Sequence, residues 1–126
     1  MLLVHTSWRA VRPVEGGPHG LVDALLDALG SGGTLVLPSW SGEDDRPFDP
    51  RRDETSEGLG ILPSLFWRRP GVRRSGHVNA FAALGPHADA VLRDELPLPP
   101  HRRESPVGRV HELDGKVLLL GLDHDA

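Results

Sequence analysis

With 126 residues and a formal net charge of −4, the chain is long enough for one ordinary domain and lacks the basic field with which nucleic-acid-binding proteins neutralise phosphates. It contains no cysteine, which excludes disulfides, thiol nucleophiles and cysteine-bound zinc. No apolar run reaches the roughly 18 residues that cross a bilayer, so we expect a cytoplasmic protein with neither a membrane nor a nucleic acid as its partner.

The first part of the chain predicts a strand, a helix and a second strand. The apolar run from Leu2 to His5 predicts a buried strand, and Thr34 to Leu37 predicts another. Between them, Gly30 marks the expected end of an amphipathic helix whose apolar face is formed by Leu21, Val22, Leu25, Leu26 and Leu29. A strand, a helix and a strand in this order favour a βαβ unit. The predicted fold class is therefore α/β, with a mixed or mostly parallel sheet and flanking helices.

The rest of the chain predicts a long loop, two short helices and two more strands. Residues Ser41 to Gly58 are acidic and have no usable periodicity, which is typical of a long and often functional loop. Ser105 to Leu113 is ambiguous. The other expected elements are helices over Ile61 to Arg69 and Pro86 to Arg93, and strands over Phe81 to Leu84 and Lys116 to Leu122.

Together these elements predict one α/β domain over residues 1–126. A core strand stands at each end of the chain without a flanking cap, so we expect the domain to be truncated at both ends relative to a larger fold. The last strand, Lys116 to Leu122, is apolar enough to require cover on both faces. We therefore expect an exposed apolar surface there, through which chains could associate.

The segment from His5 to Gly20 combines several groups that bind phosphate. A strand ends in Thr6 and Ser7, Arg9 and Arg12 follow, and a Gly-Gly-Pro sequence begins the helix. Hydroxyls, cations, free backbone N–H groups and a positive helix end could together hold a diphosphate. The alternative is an ordinary turn with solvated arginines, because the segment is neither a P-loop nor a GxGxxG fingerprint.

Two other polar groups have a functional and a plain interpretation. The carboxylates of residues 43–45 beside Trp40 suit an ammonium group, by charge and by cation–π contact, but they equally suit a solvated acidic loop. Arg73 and Arg74 precede Ser75, which places two cations and a hydroxyl either near a phosphate and a thioester or in a plain basic turn. The seven histidines form no HxxxH or HxH pair, so we expect no metal site.

Three blocks of the chain, in order, resemble the aminoglycoside 3-N-acetyltransferases. They are LLVHTSWRAVRPVEGGPHGLVDALLDALGSGGTLVLPSWSGEDDRPFDP, GVRRSGHVNAFAALGP and SPVGRVHELDGKVLLLGLDHDA. The likeness is greatest to the apramycin- and gentamicin-acetylating type, through PSWSGEDDRPFDP and LPLPPHRRESPV. The resemblance implies acetyl-CoA as the donor and the 3-amino group of a 2-deoxystreptamine antibiotic as the acceptor.

The resemblance also implies roles for individual residues. Asp44 matches an acidic position that faces the aminoglycoside, and His101 matches a position near the same cleft. The family's general base is expected beyond Ala126, so no catalytic residue is expected within the chain. A non-catalytic CoA- or nucleotide-binding remnant of the family is the alternative function. Cofactor-binding roles fall on His5, Thr6, Ser7, Arg9, Ala10 and Val11, and in a second block on Ser75, His77 and Phe81.

Overall fold

The computed structural model describes residues 1–41, 48–76, 80–92, 110 and 115–121. The helices are α1 (Trp8–Val11), α2 (Gly17–Leu29), α3 (Ile61–Phe66) and α4 (Ala88–Val91), with a 3-10 turn at Glu57–Leu59. The strands are β1 (Leu2–Thr6), β2 (Leu35–Pro38), β3 (Arg73–Arg74), β4 (Phe81–Leu84) and β5 (Lys116–Leu120).

The five strands form one mixed sheet in the order β3-β4-β2-β1-β5. β1 is parallel to both β2 and β5, with Leu3 opposite Val36 on one side and Val117 on the other. β4 is antiparallel to β2 and to β3, and Phe81 lies opposite Pro38. The ends of β1, β2, β3 and β5 and the start of β4 therefore lie at one edge of the sheet, which we call the carboxyl edge.

Alternating side chains of the strands build a core on each face of the sheet. On one face, α2 and α3 cover Val4, Leu35, Leu37 and Ala82 with the buried residues Leu21, Val22, Leu62 and Phe66. On the other face, α4 and Val110 pack on Leu3, Val36, Phe81 and Ala83. Both faces of the central strands are covered, which explains why β2 reads as a continuous apolar run and is buried at all four positions.

The predicted α/β class, the mixed sheet and the opening βαβ unit are confirmed. All four expected strands are present, and the helix of residues 17–29 begins beside Pro18 and ends at Gly30, as its sequence signals indicate. The helix expected to reach Arg69 ends at Phe66, and the one expected over residues 86–93 is only Ala88–Val91. Most of the ambiguous stretch Ser105 to Leu113 lies outside the described residues.

Two close approaches fix the connection between β4 and α4. Thr34 is fully buried, and its hydroxyl accepts a hydrogen bond from the His87 backbone N–H at 3.0 Å. Gly85 has φ +139, and a Cβ there would lie 2.4 Å from the Gly33 carbonyl oxygen. Glycine is therefore required where this turn crosses the start of β2. In the described part of the chain, no helix is long and apolar enough to cross a membrane.

Candidate functional site

The segment after β1 forms a single helical turn at the carboxyl edge. The Ser7 N–H donates to the Leu120 carbonyl at 2.9 Å, so the end of β1 is tied to the end of β5. The Ser7 carbonyl then accepts from the N–H groups of Ala10 and Val11 at 3.1 and 3.2 Å, which closes α1. Arg9 and Ala10 are exposed, whereas Ser7 and Val11 are partly buried. α1 thus exposes the Arg9 cation and the small residue Ala10, and its backbone is tied to the sheet through Ser7.

Gly121 supports this turn from the adjacent strand. It has φ +76, and a Cβ at this position would lie 2.9 Å from Ala10 Cβ, 3.0 Å from Val11 Cγ2 and 3.1 Å from the Ser7 carbonyl oxygen. Such separations are shorter than ordinary van der Waals contact, so only glycine fits without a shift of α1. Gly121, which directly follows β5, therefore packs closely against Ser7 and α1.

At the centre of the edge, the end of β2 meets the start of β4. The Ser39 N–H donates to the Ala80 carbonyl at 2.8 Å, and Trp40 packs edge-on against Phe81 with the ring centroids 5.6 Å apart. The Phe81 N–H donates to Ser75 Oγ at 3.0 Å, and Ser75 donates its own N–H to the Phe81 carbonyl at 2.9 Å. Ser75 and Phe81 are almost completely buried. Both residues therefore lie beneath the surface of the edge, and Phe81 packs against Trp40.

Residues 48–56, which we call the 48–56 loop, fold back on this edge. The Asp53 carboxylate accepts from the Asp49 N–H at 2.8 Å, and the Asp49 carbonyl accepts from the Asp53 N–H at 2.9 Å. Farther along, the Ser56 N–H donates to the Trp40 carbonyl at 2.8 Å. Arg51 and Arg52 are exposed at the tip of the loop, whereas Asp53 is buried. The loop is therefore an ordered turn with a buried acidic residue.

Arg74, at the end of β3, joins the 48–56 loop to the sheet. Its guanidinium donates to the carbonyls of Ser39 at 2.6 Å, Asp53 at 2.5 Å and Pro50 at 3.2 Å. It also lies over the rings of Phe48 and Trp67, 4.7 and 4.2 Å from their centroids. Burial lowers its pKa to about 10 against the opposing effect of nearby Asp53 and Glu54. The guanidinium still carries its charge at neutral pH.

Three buried polar atoms around Arg74 have no hydrogen-bond partner among the described residues: Ser39 Oγ, Trp67 Nε1 and Arg74 Nε. The neighbouring Arg73 differs, because its exposed side chain pairs with Asp89 at 3.1 Å. Arg74 donates to backbone carbonyls, whereas Arg73 pairs with a surface carboxylate. A phosphate-binding role of this pair stays a prediction.

A shallow cavity of about 450 Å³ opens beside the 48–56 loop. Its lining includes the exposed carboxylates of Glu54 and Glu57, with Ile61 and Ser64 from α3. Glu54 forms an ion pair with Arg68, whose guanidinium lies 4.8 Å from the Trp67 ring centroid. The local charge at this side of the loop is therefore partly balanced within the chain.

The structure places the described residues of both predicted cofactor blocks at the carboxyl edge. The first cofactor block is a continuous segment from the end of β1 through α1, namely His5, Thr6, Ser7, Arg9, Ala10 and Val11. Ser75 and Phe81 lie at the same edge, on the far side of β2. Asp44, His77 and His101 lie outside the described residues. Their assignment, like that of the cofactor block, stays a prediction.

Sequence reasoning does not identify Gly121 or the role of Arg74. A glycine directly after an apolar strand is a weak signal, and a contact with a segment more than a hundred positions earlier in the chain leaves no local trace. In the sequence, Arg74 is only half of a basic pair. Its acceptors are backbone carbonyls, which every residue carries, so no sequence pattern marks them.

Comparison with known proteins gives one consistent family. A family model described as aminoglycoside 3-N-acetyltransferase matches residues 3–126. The chain is 61% identical to aminoglycoside N(3)-acetyltransferase IV of Salmonella sp, over 100% of this chain and 48% of that protein. It spans about half the length of the curated relatives it matches.

Solved structures agree with this comparison. A mutant of aminoglycoside acetyltransferase AAC(3)-IVa in complex with a gentamicin superposes with a TM-score of 0.96 at 62% identity, covering 99% of this chain and 48% of that one. The binary complex of AAC-IIIb with CoASH superposes with a TM-score of 0.83 at 29% identity, covering 94% of this chain and 51% of that one. The chain therefore has the same fold as about half of each of these longer proteins.

Proposed function

Because the chain belongs to the aminoglycoside 3-N-acetyltransferase family, we propose that it forms the acetyl-CoA-binding part of an enzyme that acetylates the 3-amino group of 2-deoxystreptamine antibiotics. The observation that carries the proposal is 61% identity to such an enzyme along the full chain. A non-catalytic CoA-binding remnant is the second candidate, since the chain spans about half of its relatives and the family base is expected outside it.

Residues 5–11, which we call the α1 segment, are suited to binding the diphosphate and the pantetheine arm of CoA. Arg9 is exposed, and no described residue pairs with its guanidinium. Thr6 and Ser7 place hydroxyls at the same end of β1. The side chain of Ala10 is small, which suits the passage of the pantetheine arm. A cation beside hydroxyls and a fixed backbone is the kind of site that binds phosphate by charge-assisted hydrogen bonds. These residues support acetyl-CoA as the cofactor.

The acetyl donor supplies an activated thioester, and the chain's own residues contribute binding and orientation. The acceptor amine must lose a proton as its nitrogen bonds to the acetyl carbon and the carbon–sulfur bond breaks, so the reaction requires a general base. Holding the two reactants in register contributes separately from proton removal. We assign the holding of the donor to residues 5–11 and the base to a part of the enzyme other than residues 1–126.

The acceptor side is proposed at the neighbouring acidic loop. Aminoglycosides are polycations, and the 48–56 loop brings the carboxylates of Asp49, Asp53 and Glu54 to the carboxyl edge, with Asp53 buried. A relative with 62% identity has been solved with a gentamicin. We therefore propose gentamicin-type aminoglycosides as acceptors, with Asp44 and His101 as the expected substrate-binding residues.

Cofactor binding can be tested on the chain itself. We expect Arg9→Ala to weaken CoA binding by more than tenfold, because a charge-assisted hydrogen bond contributes about 1.5–3 kcal/mol. Lys116→Ala is the matched control, since it removes one exposed cation from the opposite edge of the sheet. Calorimetric titration with CoA measures both. Equal affinities for the wild type and Arg9→Ala would reject this placement of the phosphates.

Turnover separates the two candidate functions. We expect the isolated chain to release no CoA at an enzymatic rate from acetyl-CoA and gentamicin, because loss of a general base lowers rates by about 10²–10⁴-fold. Addition of the second half of a relative in trans should restore acetyl transfer if the chain belongs to an enzyme. Restored folding and CoA binding without transfer would favour the remnant. A thiol reagent that follows free CoA gives the rate.

Two further assignments complete the proposal. We place the protein in the cytosol, where acetyl-CoA is available and a chain without cysteine needs no oxidising compartment. We also propose that chains associate through the exposed face of β5, the last strand of the sheet that the described residues form, because Val117 on it has 58% of its surface exposed. An exposed apolar strand is a surface on which another chain can pack.

A further inference from the structure

We propose that Arg74 is a positioning residue: it fixes the 48–56 loop against the carboxyl edge and thereby sets how the acceptor amine is presented. The first half of this inference stands on the contacts of Arg74 alone. The second half rests on the proposed function, because it takes the acidic loop as the acceptor side. The experiments below are chosen so that the two halves fail separately.

One guanidinium joins the end of β2 to the 48–56 loop. Ser39 follows β2, whereas Pro50 and Asp53 belong to the loop, and Arg74 donates to the carbonyls of all three at 2.5–3.2 Å. Among the described residues, the backbone hydrogen bond between the loop and the end of β2 is farther along, from Ser56 to Trp40 at 2.8 Å. Through Pro50, Asp53 and Ser39, Arg74 therefore bridges the loop and the end of β2.

The shape of the site requires arginine rather than a generic cation. The guanidinium is planar, so it can donate within its plane to carbonyls of two segments while its faces rest on rings. Phe48 and Trp67 supply those rings at 4.7 and 4.2 Å. A lysine has a compact ammonium and cannot reach all of these acceptors and stack at once. The site is consequently specific for the fork and the plane of arginine.

Arg74 also connects the loop to the buried pair Ser75 and Phe81 and to Trp40. It directly precedes Ser75, which is bonded to Phe81, and Phe81 packs against Trp40. A shift of the loop would therefore be transmitted to the end of β2 through the Ser39 carbonyl. This makes the loop, Trp40 and the end of β3 one hydrogen-bonded unit beside the α1 segment.

The neighbouring Arg73 provides an internal control. It has the same side chain on the same strand, but it is exposed and pairs with Asp89. Arg73→Met removes a charge without touching the loop, and Arg74→Met removes the same charge together with the contacts to Ser39, Pro50 and Asp53. Arg74→Lys retains the charge and removes the fork.

Limited trypsin digestion of the full chain tests the first half. Arg51 is exposed and lies between Pro50 and Asp53, the loop residues that Arg74 holds. We expect Arg74→Met to raise cleavage after Arg51 more than tenfold relative to Arg73→Met, with cleavage after Arg9 unchanged. Arg74→Lys should remain severalfold faster than the wild type. Unchanged cleavage after Arg51, or full rescue by lysine, would overturn the proposal.

Global destabilisation is separated from loop release by the reference site. If Arg74→Met folds poorly, cleavage after Arg9 rises together with cleavage after Arg51, and Arg74→Lys then becomes the deciding variant. A loop-specific increase in Arg74→Lys supports the proposal. A parallel increase at both sites in Arg74→Lys shows that Arg74 serves general stability and overturns it.

The second half is tested in the complemented enzyme by comparing the two substrates. We expect Arg74→Met to raise the KM for gentamicin at least fivefold and to leave the KM for acetyl-CoA within twofold of the wild type. Equal increases for both substrates, or none, would overturn the positioning role even if the loop is released. Absence of acetyl transfer by the complemented wild type would instead reject the proposed function, and the trypsin result would stand.

Discussion

Gly121 offers the most direct test of the link between fold and cofactor binding, through the substitution Gly121→Ala. The new methyl group would lie 2.9 Å from Ala10 Cβ and 3.0 Å from Val11 Cγ2, so α1 must move by a few tenths of an ångström. The backbone φ of +76 adds strain of about 1–2 kcal/mol for any residue with a Cβ. Crowding of this kind costs typically about 1–3 kcal/mol more.

A matched control separates the two effects. Gly30 has φ +72, and a Cβ there would meet nothing within 4 Å. Its ψ of −178 makes the backbone strain of Gly30→Ala at least as large. Gly30→Ala therefore destabilises the fold without pressing on α1, and only Gly121→Ala should affect the cofactor segment.

We expect Gly121→Ala to weaken CoA binding about fivefold, equivalent to roughly 1 kcal/mol, because the hydrogen-bonding groups on α1 leave their best positions. Gly30→Ala should bind CoA as the wild type does. Calorimetric titration gives the affinities and urea unfolding gives the stabilities. If both variants are destabilised and both retain full CoA affinity, α1 is not the cofactor segment and the reasoning fails.

Three further outcomes test the fold around the site. Thr34→Val removes the acceptor of the His87 N–H, and we expect urea unfolding to show a loss of roughly 1–2 kcal/mol, against little change for the partly exposed Thr55→Val. Phe66→Ala opens a cavity in the core beneath α2 and should lower the free energy of unfolding by about 3–5 kcal/mol, whereas Ile61→Ala, which is 46% exposed, should stay within about 0.5 kcal/mol. Val117→Lys should reduce any self-association seen by sedimentation velocity without lowering the melting temperature, and unchanged association would exclude the face of β5 as the contact.

The sheet can be predicted because its signal is local. Short apolar runs bounded by Gly, Pro and small polar residues predict buried strands, and the structure has strands at each of the four expected places. The βαβ opening follows from the length of the helical segment between β1 and β2. Local sequence signals do not specify the antiparallel direction of β4, because the pairing partner of a short strand depends on contacts distant in sequence.

The two short elements at the site, α1 and β3, cannot be predicted from the sequence for a physical reason. α1 is a single turn that depends on the Ser7 carbonyl and on the bond from Ser7 to Leu120, not on the periodicity of its own residues. β3 has only two residues, and they pair with β4 in a register that no pattern reveals. Elements this short are stabilised by their tertiary partners, so local propensity carries little information about them.

The order of strands explains why these short elements matter. β4 is antiparallel to both of its neighbours, so β3 ends at the same edge as β1 and β2. If β4 ran parallel to β2 and still paired antiparallel with β3, Arg74 would lie at the opposite edge and could not reach the carbonyls of Ser39 and Asp53. The proposed donor segment and acidic loop follow parallel neighbouring strands, which fixes their separation through the sheet. Arg74 on β3 can therefore contact both Ser39 and the loop, because the ends of β2 and β3 lie at the same edge of the sheet.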